Sequence, residues 1–155
     1  LLTDTNIAKL PEKENRKPET FISIGLFGNK LTNWLLQNNV FKNCFNWLPK
    51  QNKIIVAGKE YAANREKKAD YGVFARLQLK NMKTIIVIGG IEGYGTEKMG
   101  EYVCRNWRKI YDVVYAEEGT SLIILYKINQ GKIHQQKVVV IPERECDREV
   151  AGVKN

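Results

Sequence analysis

The residues GGIEGYGT, at positions 89–96, place four glycines between a β-branched run and a helical pattern. The run is Thr-Ile-Ile-Val-Ile at 84–88, and Glu97 opens the helical stretch. The chemistry such a turn supports is anion binding. The first N–H groups of a helix lack an intrahelical acceptor, and the helix dipole is positive at that end. Glycine leaves no Cβ between backbone and ligand. Gly89, Gly90, Gly93, Gly95 and Thr96 are therefore a candidate phosphate cradle of backbone donors and one hydroxyl. The spacing is neither G-x-G-x-x-G nor a Walker A loop, because no Gly-Lys-Ser/Thr follows. The same glycines also suit a crossover in which a helix packs close to a strand.

A second turn has the same plan. Gly25-Leu26-Phe27-Gly28-Asn29 follows an apolar strand pattern and precedes LTNWLLQNN, whose Leu31, Trp34 and Leu35 share a helical face. If the two strands run parallel, both turns open on one sheet edge, where α/β sheets take ligands. Gly28 and Asn29 then form the opposite wall, although Asn29 also suits a helix cap. Asp70-Tyr71-Gly72 supplies a carboxylate and an aromatic face for a planar ring, and Tyr94 a second aromatic. As a triplet it equally suits a turn. Arg65, Lys67 and Lys68 offer charge-assisted donors to phosphate, or a solvated face.

Glu92 lies inside the glycine turn, where a carboxylate is placed for acid–base work on a glycosidic bond. No histidine partner, nucleophile motif or carboxylate cluster accompanies it, so no residue is assigned as catalytic and enzyme status stays open. His134 is the single histidine, and Cys44, Cys104 and Cys146 stand far apart without a CxxC. That pattern argues against a zinc site or a disulfide framework; no metal and no cofactor is expected, and a reducing, cytoplasmic setting fits.

Strand patterns fall at 21–26, 53–57, 73–79, 84–88, 121–128 and 138–141, and helical patterns at 31–39 and 97–111. Met99, Val103, Trp107 and Ile110 form one helical stripe with Thr96 as its candidate cap. The 73–79 and 84–88 runs suit a hairpin, and Asn129-Gln130-Gly131-Lys132 is a hairpin turn signal. The expectation is an α/β fold: a mixed sheet of about six strands flanked by two to three helices, a Rossmann-like three-layer sandwich. Residues 1–19, polar with Pro11 and Pro18, read as a linker or tail, 20–142 as the ligand-binding domain, and 143–155 as a C-terminal tail. The polar start without Met reads as a piece of a longer protein.

The formal charge of +8 sits in the body: residues 21–141 hold 18 cationic and nine acidic side chains. A basic body favours anionic partners. The cations are scattered rather than striped, so a nucleic-acid partner is not favoured. No apolar run is long enough to span a bilayer, and no membrane partner is expected. The plan carried by residues 21–36, 84–107 and Asp70-Tyr71-Gly72 resembles Rossmann-type nucleotide-sensing domains inside larger bacterial signalling or defence proteins. The resemblance implies a sensor or regulatory domain for a nucleotide-like anionic small molecule, with other domains of the parent protein as partners. Two rivals remain: a nucleotide or nucleoside glycosidic-bond hydrolase using Glu92 or Asp70, and a nucleic-acid or protein-interaction domain using Lys98, Arg105, Arg108 and Lys109.

Overall fold

Apolar residues dense enough to be buried on both faces form the centre of the main sheet. They lie on β5 (Ala69–Gln78) and β6 (Thr84–Gly90), which pair antiparallel with Gln78 opposite Thr84 and Gly72 opposite Gly90. The structure is a computed structural model describing residues 20–38, 40, 41, 44–78, 84–116 and 120–141. The two expected tails and Cys146 lie outside the described residues. β1 (Thr20–Ile24) runs parallel to β6, with Ile24 opposite Ile88. β7 (Ser121–Asn129) and β8 (Lys132–Ile141) extend the other side in antiparallel fashion, giving the order β1-β6-β5-β7-β8. Gln130 and Gly131 turn between β7 and β8 with φ of 48° and 80°, the two left-handed residues of a type I′ hairpin.

A second, three-stranded antiparallel sheet consists of β2 (Phe45–Leu48), β3 (Lys53–Val56) and β4 (Lys59–Ala62). The described α-helices are α1 (Lys30–Gln37) and α2 (Gly93–Ala116). On one face of the main sheet, Met99, Val103 and Ile110 of α2 cover Phe74, Ile88, Leu122, Ile124 and Tyr126. On the other, Leu35 of α1 joins Phe45, Trp47, Ile54 and Val56 of the small sheet over Val73, Ala75, Leu77, Val87 and Leu125.

This corrects the expected Rossmann-like three-layer sandwich. The described residues form eight strands in two sheets with two α-helices, 49% strand against 31% helix, and the second face of the main sheet is covered by the three-stranded sheet together with α1 rather than by a helical layer. The reason lies in residues 45–56. Phe45 and Trp47 are buried with Asn46 exposed between them, and Ile54 and Val56 are buried around Ile55. That period of two suits a meander, and Pro49–Gln51 reverses the chain in a single 3₁₀ turn. The meander covers the face on which a further helix was expected. α2 lies on β6, β5 and β7 and leaves β1 uncovered, so Ile22 and Ile24 are exposed. No helix among the described residues is long and apolar enough to cross a membrane.

Asn29 starts α1. Its Oδ1 accepts from the backbone N–H of Leu31 (2.9 Å) and Thr32 (3.3 Å), and its Nδ2 donates to the Ile24 carbonyl at 3.1 Å. Thr32 Oγ1 donates to the Gly25 carbonyl at 3.0 Å and lies 2.7 Å from Ser23 Oγ, in the buried layer under the helix. Asn29→Ala removes the acceptor of two orphan donors and is expected to cost about 1–2 kcal/mol, measured by urea denaturation. An unchanged midpoint would show that water caps this helix as well as Asn29 does.

Candidate functional site

β1 leads into α1 on one face of the sheet and β6 into α2 on the other. Neighbouring parallel strands whose connections part in this way define a switch point. The Gly25 N–H donates to the Ile88 carbonyl at 2.8 Å, so the two glycine turns lie side by side. Leu26, 1% exposed, fills the space between them, and a Cβ at Gly89 would come 2.8 Å from its Cγ. Gly28 and Gly93 face open space.

α2 begins at Gly93, one turn ahead of the expected cap at Thr96. Thr96 instead reaches back: its Oγ1 accepts from the Gly90 N–H at 3.0 Å, and its own N–H donates to the Glu92 carbonyl at 3.0 Å. The early start depends on Asp70. This side chain, in a residue 2% exposed, sits against Gly95 at the head of α2. Its Oδ2 accepts from the Glu92 N–H at 3.0 Å and its Oδ1 from the Tyr71 N–H at 2.6 Å. The chain's own carboxylate thus takes one of the free donors that the sequence offers to a ligand. Burial pushes the Asp70 carboxyl up to about 6, with the Glu92 charge adding to the rise and the backbone N–H groups opposing it.

Beside this helix head lies a cavity of about 730 Å³. The 64–69 loop gives it Arg65, Glu66, Lys67 and Lys68; β5 gives Asp70; the β6–α2 turn and α2 give Glu92 and Tyr94. Gln130 of the β7–β8 turn closes the rim, and its N–H donates to the Lys68 carbonyl at 3.1 Å. Glu92 ties the walls together. Its Oε1 accepts from Arg65 Nε at 2.6 Å and from Asn52 Nδ2, in the turn between β2 and β3, at 3.2 Å. Among the described residues, Lys67 and Lys68 enter no ion pair.

The structure therefore brings Asp70 and Tyr94 to one cavity, together with Arg65, Lys67, Lys68 and Glu92. Tyr71 points the other way, because neighbours on a strand alternate, and it packs on Tyr61 at a ring distance of 5.0 Å. Gly28 and Asn29 border the β1 side of the same sheet edge, outside the cavity lining. Gly90 and Gly95 meet each other, Gly89 meets Leu26, and Gly93 is the exposed member of the set. Asn52, Asn64 and Gln130 escaped the sequence reading. Gln130 lay in a turn the sequence announces, but nothing in the sequence says what that turn faces. On the cationic helix face, Lys98 is bonded to Glu97 (3.3 Å) and Glu101 (3.1 Å), which neutralises part of it. Comparison with protein-family models, curated proteins and solved structures finds no match to this chain, so the geometry of this cavity is what a functional reading has to stand on.

Proposed function

We propose that this chain is a ligand-sensing or regulatory module, part of a larger bacterial protein, that binds a nucleotide-like anionic small molecule in the Asp70 cavity. The observation that carries the reading is the joining of two lysines that enter no ion pair among the described residues, an aromatic ring and a helix head around one cavity of about 730 Å³. Small-molecule sites are typically about 300–1,000 Å³. Lys67 and Lys68 meet phosphate, Tyr94 offers a face to a ring, and Glu92 accepts from hydroxyl or amino groups. The exposed thiol of Cys104, free among the described residues, suits the proposed reducing, cytoplasmic setting.

Calorimetry and thermal shift with nucleoside mono-, di- and triphosphates, cyclic nucleotides and NAD test this reading. At least one raises the melting temperature, and Lys67→Gln with Lys68→Gln weakens it by about tenfold or more, the worth of one charge-assisted contact. Silence across the whole panel removes the proposal.

One observation favours a second reading, hydrolysis of a nucleotide or nucleoside glycosidic bond. Asp70 and Glu92 line the same cavity, and Asp70 keeps its proton up to about pH 6, as an acid catalyst requires. Turnover of NAD or a nucleoside that disappears in Asp70→Asn or Glu92→Gln supports it. Turnover unchanged in both variants, or absent in the wild type, removes it.

A further inference from the structure

The cavity lining holds three cations, Arg65, Lys67 and Lys68, against three carboxyl groups, Glu66, Asp70 and Glu92. With every carboxyl ionised the lining is neutral and has no net attraction for an anion. Arg65 is already committed to Glu92, and Glu66 is exposed to solvent. Asp70 is the buried member, held against Gly95 with both oxygens on backbone N–H groups. An anion held by Lys67 and Lys68 shares its cavity with this carboxylate. Two negative charges lining one cavity repel, the more so because Asp70 is buried, and a proton on Asp70 removes the repulsion.

We propose that the cavity binds its anion together with a proton taken from solvent onto Asp70, so that occupancy of the site reports pH as well as ligand. The inference rests on the anion-binding reading above and deepens it. The other groups around Asp70 do not take this role. Arg65, Lys67 and Lys68 on the loop supply the positive charge of the lining, and Glu66 on that loop is exposed to solvent. Glu92, from the turn, holds Arg65 and Asn52. Among the described residues, Tyr94 and Tyr102 on α2 and Tyr126 on β7 also lie on this side, and burial pushes the Tyr126 hydroxyl far above the range in which the carboxyl titrates. Early in α2, Lys98 is paired with Glu97 and Glu101, and His134 of β8 stands opposite Lys127, which alternates away from Ile128 to the other face. Ile128, opposite Asp70 on β7, is apolar.

Sulfate is the probe, because it keeps both charges across the range in which Asp70 titrates. In wild-type protein, backbone amide NMR shifts at Lys67, Lys68, Gly93 and Tyr94 report sulfate binding, and the Asp70 side-chain carboxyl resonance reports its own titration. Two results are expected. The Asp70 pKa rises by about one unit on saturation with sulfate, and sulfate affinity falls by roughly five- to tenfold between about pH 5 and about pH 8. Asp70→Asn binds sulfate with an affinity that no longer changes with pH. If sulfate binds but neither the Asp70 titration nor the affinity moves, the proton linkage is wrong while the anion site stands. If sulfate perturbs none of these amides at any pH, the anion-binding reading falls with it. The wild-type titration decides the question even if the variant folds poorly.

Discussion

Gly90→Ala destabilises the protein by about 3 kcal/mol or more, and its melting temperature falls by about 10 °C. A methyl at this position would lie within overlap distance of the Gly95 backbone and 2.6 Å from the Thr96 nitrogen. These are backbone atoms of the first turn of α2, which no rotamer change can move aside. Relief requires α2 to lift from β6, and lifting it opens the Gly90–Thr96 hydrogen bond and the layer around Met99. Gly93→Ala in the same turn is the control. Nothing lies within 4 Å of the position its methyl would take, and the residue is helical. That variant is neutral or up to about 1 kcal/mol more stable, because alanine loses less backbone entropy than glycine on entering a helix. Thermal and urea unfolding of both variants checks the pair. Equal stability of Gly90→Ala and wild type would mean that strand and helix are not in close contact here.

The second large effect is a pH dependence that belongs to Asp70. Its carboxyl titrates near 6 in the fold against 3.8 when unperturbed. The folded state therefore holds this proton more tightly than the unfolded state. The stability it confers is fully present below about pH 4 and is lost as the pH rises through about 6; a shift of this size corresponds to roughly 3 kcal/mol. Most paired carboxylates act in the opposite sense, so the total curve mixes both. The comparison with Asp70→Asn isolates the group. The amide cannot ionise, and its oxygen still accepts a backbone N–H. The stability of Asp70→Asn relative to wild type should climb by about 3 kcal/mol between about pH 4 and about pH 7.5, followed by urea midpoints. Parallel curves would show that Asp70 is not held in a poorly solvated place. Asp70→Ala is a harsher change: it strands the Tyr71 and Glu92 N–H groups without their acceptor and costs several kcal/mol at every pH.

Both effects meet at the head of α2, and they explain how far the sequence could be read. The spacing of Met99, Val103, Trp107 and Ile110 announces a helix; Met99, Val103 and Ile110 are buried against Phe74, Ile88 and Tyr126, while Trp107 is 46% exposed. The alternation in 73–79 and the continuous run at 84–88 announce the central hairpin, seen as Phe74 opposite Ile88. Asn129-Gln130-Gly131-Lys132 announces the β7–β8 turn because the φ > 0 pair is a local property. Of the small sheet, the strand pattern at 53–57 is legible and appears as β3, whereas β2 and β4 are not. Its strands are four residues each, and a short aromatic run such as Phe45–Leu48 has too few periods to separate strand from helix. The helix start was misplaced for a different reason. Its cap is a carboxylate more than twenty positions upstream, brought in by the pairing of β5 with β6.

The sequence alone determined which segments turn, which faces are apolar, and that glycine concentrates where β6 gives way to α2. Those are properties of near neighbours along the chain, fixed by backbone sterics and by the period of the hydrophobic pattern. The tertiary structure alone decided what each glycine is for. Gly89 admits Leu26, Gly90 and Gly95 admit each other, and Gly93 faces solvent, distinctions set by what lies across the gap rather than beside the residue. It also decided that Asp70 and Tyr71, adjacent in sequence, serve opposite faces, and that Lys67, Lys68, Glu92 and Tyr94 share one cavity. Charge and burial act through space, so a carboxyl's proton affinity and a cavity's net charge come into being only once strands far apart in the chain have been laid side by side.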